Sequence, residues 1–97
     1  MSRSLILSPQ AQRDIEEIAD YTIAMWGVTR AKTYVGEIQV ALKTLAKSPN
    51  IGRDCNFIRK GYRKYPVGSH MLFYRLIESG IDVIRILDQR MDVERNL

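Results

Sequence analysis

The 97-residue sequence has one cysteine, one histidine, one tryptophan and three prolines. It also lacks any apolar run approaching the roughly 20 residues needed to cross a bilayer. Each scarcity excludes something. A lone Cys55 cannot form an intramolecular disulfide, and no Cys/His set has the spacing of a zinc site. The stretch at residues 1–7 is too short for the apolar part of a secretory leader. Together these readings predict a reducing, cytoplasmic setting with no metal and no cofactor. Repeats, low-complexity tracts and linkers are missing too, so a single domain over residues 1–97 is expected.

What is present suits a folded globule: 45% hydrophobic and 27% charged residues lie well outside the regime of disordered chains. The net charge of +4 is unevenly placed. Residues 49–76 carry Arg53, Arg59, Lys60, Arg63, Lys64 and Arg75 against the single acid Asp54, interleaved with Phe57, Tyr62, Tyr65, Phe73 and Tyr74. Such a stretch favours an anionic partner, either nucleic acid or an acidic polypeptide.

Residues 4–7 read as an opening strand ended by Ser8-Pro9, a capping serine followed by a proline suited to the first helical turn. Ala11, Ile15, Ile18, Thr22, Met25 and Trp26 then recur at helical spacing. Gly27 is placed as a left-handed C-cap, and Thr29 as the cap of a second helix with Ala31, Tyr34, Ile38, Ala41, Leu42 and Leu45 on its apolar stripe. The short link predicts an antiparallel helical hairpin. Beyond Pro49 the texture predicts strands at 57–59, 62–67, 70–77 and 81–87, with turns at Lys60-Gly61, Gly68-Ser69 and Ser79-Gly80. The expected architecture is α+β in the order β-α-α-β-β-β-β, an antiparallel sheet with the hairpin on one face.

A two-residue turn at Ser79-Gly80 would put Leu72, Tyr74, Leu76, Val83, Arg85 and Leu87 on one face. Met71, Phe73, Arg75, Ile77, Ile84 and Ile86 would share the other. Both faces are then largely apolar, so the second needs a cover: a homodimer mate, the C-terminal tail or a foreign chain. Tyr21 and Trp26 read as core or hairpin-packing residues, Cys55 as incidental in a polar loop, and His70 as a satisfied turn-flanking residue. Gly36 inside the second helix costs roughly 1 kcal/mol relative to alanine, which points to close helix approach or partner docking.

The combined pattern resembles the ParE toxins of the RelE/ParE superfamily over essentially the whole chain. The matching residues are Leu-Ser-Pro-x-Ala with Asp-Ile-x-x-Ile-x-x-Tyr (residues 7–21), Trp26-Gly27, residues 45–49 followed by Ile51-Gly52-Arg53, and Arg-x-Tyr-Pro-x-Gly-x-His (residues 63–70). Phe73-Tyr74-Arg75 and Ile-Arg-Ile-Leu-x-Gln-Arg-Met-Asp (residues 84–92) complete it. The resemblance implies the toxin of a chromosomal or plasmid type II toxin–antitoxin module, acting on DNA gyrase. It also implies neutralisation by a ParD-like antitoxin with an acidic segment, in a toxin–antitoxin hetero-oligomer. The family commonly has histidine where this chain has Asp88.

RelE-like relatives instead cleave messenger RNA on the ribosome, which needs a base, an acid and cations around the phosphate. Lys60, Arg63 and Arg85 could supply cations, but His70 is the single histidine and no tyrosine follows Tyr74. No catalytic residues are therefore assigned. No helix-turn-helix, zinc finger or ribonucleoprotein motif supports a plain nucleic-acid-binding module. The antitoxin is expected in a groove between hairpin and sheet, with Arg59, Arg63 and Arg75 for its charges and Ile38 and Leu42 for apolar docking. Arg85, Arg90, Met91 and Arg95, beside Val93 and Leu97, are expected to meet the target.

Overall fold

The computed structural model describes residues 4–97. Strand β1 (Ser4–Leu7) leads into helices α1 (Pro9–Trp26) and α2 (Val28–Lys47). A 3-10 turn (Pro49–Ile51) follows, then strands β2 (Arg53–Asp54), β3 (Tyr62–Val67), β4 (His70–Ile77) and β5 (Gly80–Asp88), and a short helix α3 (Val93–Asn96). The sheet order is β1-β5-β4-β3-β2. The α+β class and the helical hairpin are as expected. The sheet is mixed, because β1 runs parallel to β5 while the remaining neighbours are antiparallel.

Ser8 caps α1 by accepting from the Ala11 N–H at 2.9 Å. The hairpin junction is tighter than expected. Gly27 alone separates the helices at φ 92° and ψ 170°, outside the left-handed helical region, its N–H donating to Ile23 O and its carbonyl accepting from Ala31 N. Helix α2 therefore begins at Val28, leaving Thr29 inside the helix instead of capping it.

The strand expected at 57–59 lies earlier, at β2. Asp54 Oδ1 accepts from Asn56 N and Asn56 Oδ1 accepts from Gly61 N, both at 2.6 Å. These local bonds compete with a ladder and make residues 56–61 a turn. The last hairpin turns at Glu78-Ser79, and Gly80 pairs with Ser4 as the first residue of β5. A Cβ at Gly80 would sit 1.9 Å from the Ser4 carbonyl oxygen, so only glycine lets β1 approach.

The face assignment of β5 also needs correction. Tyr74 pairs with Val83, but Phe73 pairs with Arg85, so Ile84 is an extra residue in a β-bulge. The bulge reverses the alternation beyond it. Ile86 joins Leu72, Tyr74, Ile81 and Val83 in the core beneath the helices, while Leu87 joins Phe73 on the opposite side. Ile38 and Leu42, at 0% and 2% exposure, are interior members of the helix-facing core.

The opposite face is covered by the chain's own tail, one of the three covers anticipated. Cys55, Phe73 and Leu87 form a second cluster against which Ile58, Tyr62, Met71, Val93 and Leu97 pack. Arg59 Nη2 donates to Leu97 O at 2.8 Å and Arg85 Nη1 to Asn96 O at 2.9 Å. Cys55 is thus no incidental loop residue but a fully buried one, and burial raises its thiol pKa. Removing residues 91–97 is expected to uncover it. Thiol labelling in native buffer should be slow for the intact chain and at least tenfold faster for the truncated one, with lower thermal stability; equal labelling rates would contradict this packing.

Candidate functional site

The described residues form a cleft of about 480 Å³ where the C-terminal half of α1, the start of α2 and the end of β5 converge. Its floor contains an ion pair. Asp14 is buried and accepts from Arg85 Nε at 2.8 Å and Nη2 at 3.0 Å. The same carboxylate accepts from the Ile86 backbone N–H at 2.9 Å. The bulge explains the arrangement: its displaced backbone groups need partners, and α1 supplies them. Ser8 Oγ donates to Ile84 O at 2.7 Å, and Asp14 satisfies Ile86 N. The Asp14 contact raises the Arg85 pKa.

One wall holds Tyr34 and His70. Tyr34 Oη accepts from Ser69 N at 3.1 Å and lies 2.7 Å from His70 Nδ1 and 3.1 Å from Val67 O. Burial lowers the His70 pKa against the opposing effect of Asp88 and Asp14, which favours the neutral imidazole. His70 is therefore satisfied beside its turn, as anticipated. Asp88 lies across from it in the ladder and binds Arg90 through both side chain and backbone. These bonds hold the Asp88 pKa down to about 2.

The rim is apolar and open. Tyr21 and Trp26 are 62% and 69% exposed, contrary to the core or hairpin-packing role expected of them, and Met91 of the same lining is exposed too. Trp26 closes the last turn of α1, immediately before the one-residue junction at Gly27.

The candidate antitoxin residues are not brought together. Ile38 and Leu42 are core. Arg63 pairs with Tyr74 on the helix-facing side, where Nη1 donates to Gly52 O at 2.7 Å. Arg75 pairs with Tyr62 on the other side and bridges to Asp82 at 3.0 Å, and Arg59 holds the tail. Of the candidate target residues, Arg85 is committed to Asp14 and Asn96, whereas Arg90 and Met91 are exposed at the cleft. Arg95 is exposed near Asp92, away from the cleft lining.

A second depression, of about 370 Å³, runs between α1 and α2 and is lined only by helix residues, including Ile23, Val28, Lys32, Val35 and Gly36. A Cβ at Gly36 would meet nothing within 4 Å. Close helix approach therefore does not explain this glycine.

Sequence reasoning missed Asp14, Tyr21 and Trp26. Asp14 was detectable as an acid three residues after Ala11 and four before Ile18, on the apolar stripe itself.

Two outcomes follow from this geometry. Arg85→Ala leaves a buried carboxylate without its cation and is expected to lower stability by about 3–5 kcal/mol in denaturant unfolding. Asp88, with its folded pKa below the unfolded value of about 3.9, contributes stability that is present above that value and lost as pH falls through about 2. A carboxyl NMR titration is expected to show its midpoint near pH 2, and a midpoint near 4 would contradict the Arg90 contact.

Comparison with known proteins agrees with this fold. Residues 5–93 match the family model described as ParE toxin of type II toxin-antitoxin system, parDE. The chain is 54% identical to Toxin ParE1 of Mycobacterium tuberculosis across the full length of both, and 35% identical to Toxin ParE1 of Caulobacter vibrioides over 94% of each. A solved structure titled "Chromosomal ParDE TA system from P. aeruginosa" superposes with a TM-score of 0.77 at 22% identity, covering 89% of this chain and 95% of that one. No helix among the described residues is long and apolar enough to cross a membrane. The chain belongs to the ParE toxin family of type II toxin–antitoxin systems.

Proposed function

We propose that the protein inhibits DNA gyrase without catalysing a reaction of its own, and that a ParD-like antitoxin with an acidic segment neutralises it. The observation that carries the non-enzymatic reading is the Asp14–Arg85 pair. A ribonuclease on this scaffold needs free cations facing the scissile phosphate. Of the three candidate cations, Arg85 is neutralised by a carboxylate and Arg63 is turned to a backbone carbonyl, which leaves Lys60 alone uncommitted among the described residues. Purified protein is expected to inhibit gyrase supercoiling and to leave ribosome-bound messenger RNA intact; codon-periodic cleavage with unaffected supercoiling would overturn the proposal.

The antitoxin reading moves from the hairpin–sheet junction to the outer groove of the hairpin. An amphipathic segment laid there would cover exposed Ile23 and Val28, and Lys32 would meet an acidic side chain. Gly36 keeps the groove open. Its substitution therefore has opposing effects. Gly36→Leu relieves a helix-propensity cost of about 1 kcal/mol, raising Tm by roughly 4–8 °C for a domain of this size. It also fills the groove, and antitoxin affinity is expected to fall at least tenfold in calorimetry. Unchanged affinity would exclude the groove as the docking site.

A further inference from the structure

The lining charges of the cleft are largely satisfied from within. Asp14 is paired with Arg85 and Asp88 with Arg90, which leaves Glu17 and Arg30, one of each sign, without a hydrogen-bond or ion-pair partner among the described residues. Those six side chains sum to zero charge, and burial favours the neutral form of His70. A phosphate backbone or an acidic peptide would gain from the arginines only what it lost to the carboxylates. What is unsatisfied is apolar: Tyr21, Trp26 and Met91 stand exposed around the opening.

Tryptophan, tyrosine and methionine are enriched at interface cores, and truncating the first two often costs most of the affinity. Behind this rim, the wall and floor are fixed before any partner arrives. Tyr34 is held by Ser69, Val67 and His70, and Arg85 by Asp14 and the Asn96 carbonyl. A preformed cleft loses little conformational freedom on binding. Its volume suits one or two inserted side chains.

We infer that this cleft receives an uncharged segment of the inhibited protein, which inserts an apolar side chain between Tyr21, Trp26 and Met91. The inference rests on the reading of the chain as a gyrase inhibitor and names the surface that carries it. The cleft and the hairpin groove are distinct: Lys32 and Gly36 line only the groove, and Trp26, Tyr21 and Met91 only the cleft. Target and antitoxin therefore use separable residues.

The test uses full-length protein, gyrase holoenzyme and cognate antitoxin. Trp26→Ala and Tyr21→Ala change exposed side chains, so Tm is expected to stay within a few degrees and antitoxin affinity within twofold. Gyrase inhibition is expected to weaken roughly tenfold or more in each. Because Trp26 is the sole tryptophan, its fluorescence also reports directly on oligonucleotides, which have no indole emission. Short single- and double-stranded DNA are expected to leave it unchanged. Wild-type inhibition matched by both variants would overturn the cleft assignment alone, and saturable quenching by DNA would reassign the cleft to nucleic acid. A wild-type protein inert toward gyrase would remove the functional reading and this inference together.

Discussion

The single residue of excess at Ile84 is the constraint on which most of the molecule depends. A bulge frees backbone groups that a regular ladder would pair, and buried backbone groups without partners are costly. Ser8 and Asp14 take those groups from the side of α1. Asp14 is thereby placed to receive Arg85, whose other donor holds the carbonyl of Asn96. One irregularity thus ties the first helix, the last strand and the tail together. The buried pair need not add net stability over an apolar substitute, since desolvating both ions costs about as much as their attraction returns. Its effect is to fix which elements meet and at what register.

The helical half was legible in the sequence because its signals are local. Ser8-Pro9, the stripe of Ala11, Ile18 and Thr22, and the stripe of Ile38, Leu42 and Leu45 each follow from spacing over a few turns. The order of elements and the hairpin could be read for the same reason. The sheet was harder. Nothing near Ile84 in the chain marks it as the extra residue, because the bulge is set by the pairing of β4 with β5 and by what α1 offers across the fold. The apparent apolarity of both sheet faces was a correct signal, and the tail's Val93 and Leu97 answer it.

The candidate site was the least legible part. Ile38 and Leu42 were chosen as docking residues because they are apolar on a helix, and the same property put them in the core. The exposed apolar residues of the cleft include Tyr21 and Trp26 of α1, and Trp26 continues the periodic stripe in sequence but stands exposed in space. Periodicity does not register what the neighbouring elements leave uncovered. Gly36 was readable as a cost, and only the open space at its Cβ removes close helix packing as the reason.

The parallel pairing of β1 with β5 bears on how the chain comes to exist in the cell. Ser4 finds its ladder partner at Gly80, and Asp14 finds its cation 71 residues later. Helices α1 and α2 can form from local contacts as soon as they are made, but β1 must wait, unpaired, for the last strand to be synthesised. Closure of the fold therefore waits on β5. A ribosome that stops before Gly80 releases the helical hairpin and strands β2 to β4 without the strand that joins β1 to β4, and the cleft, which β5 helps to line, is not yet built.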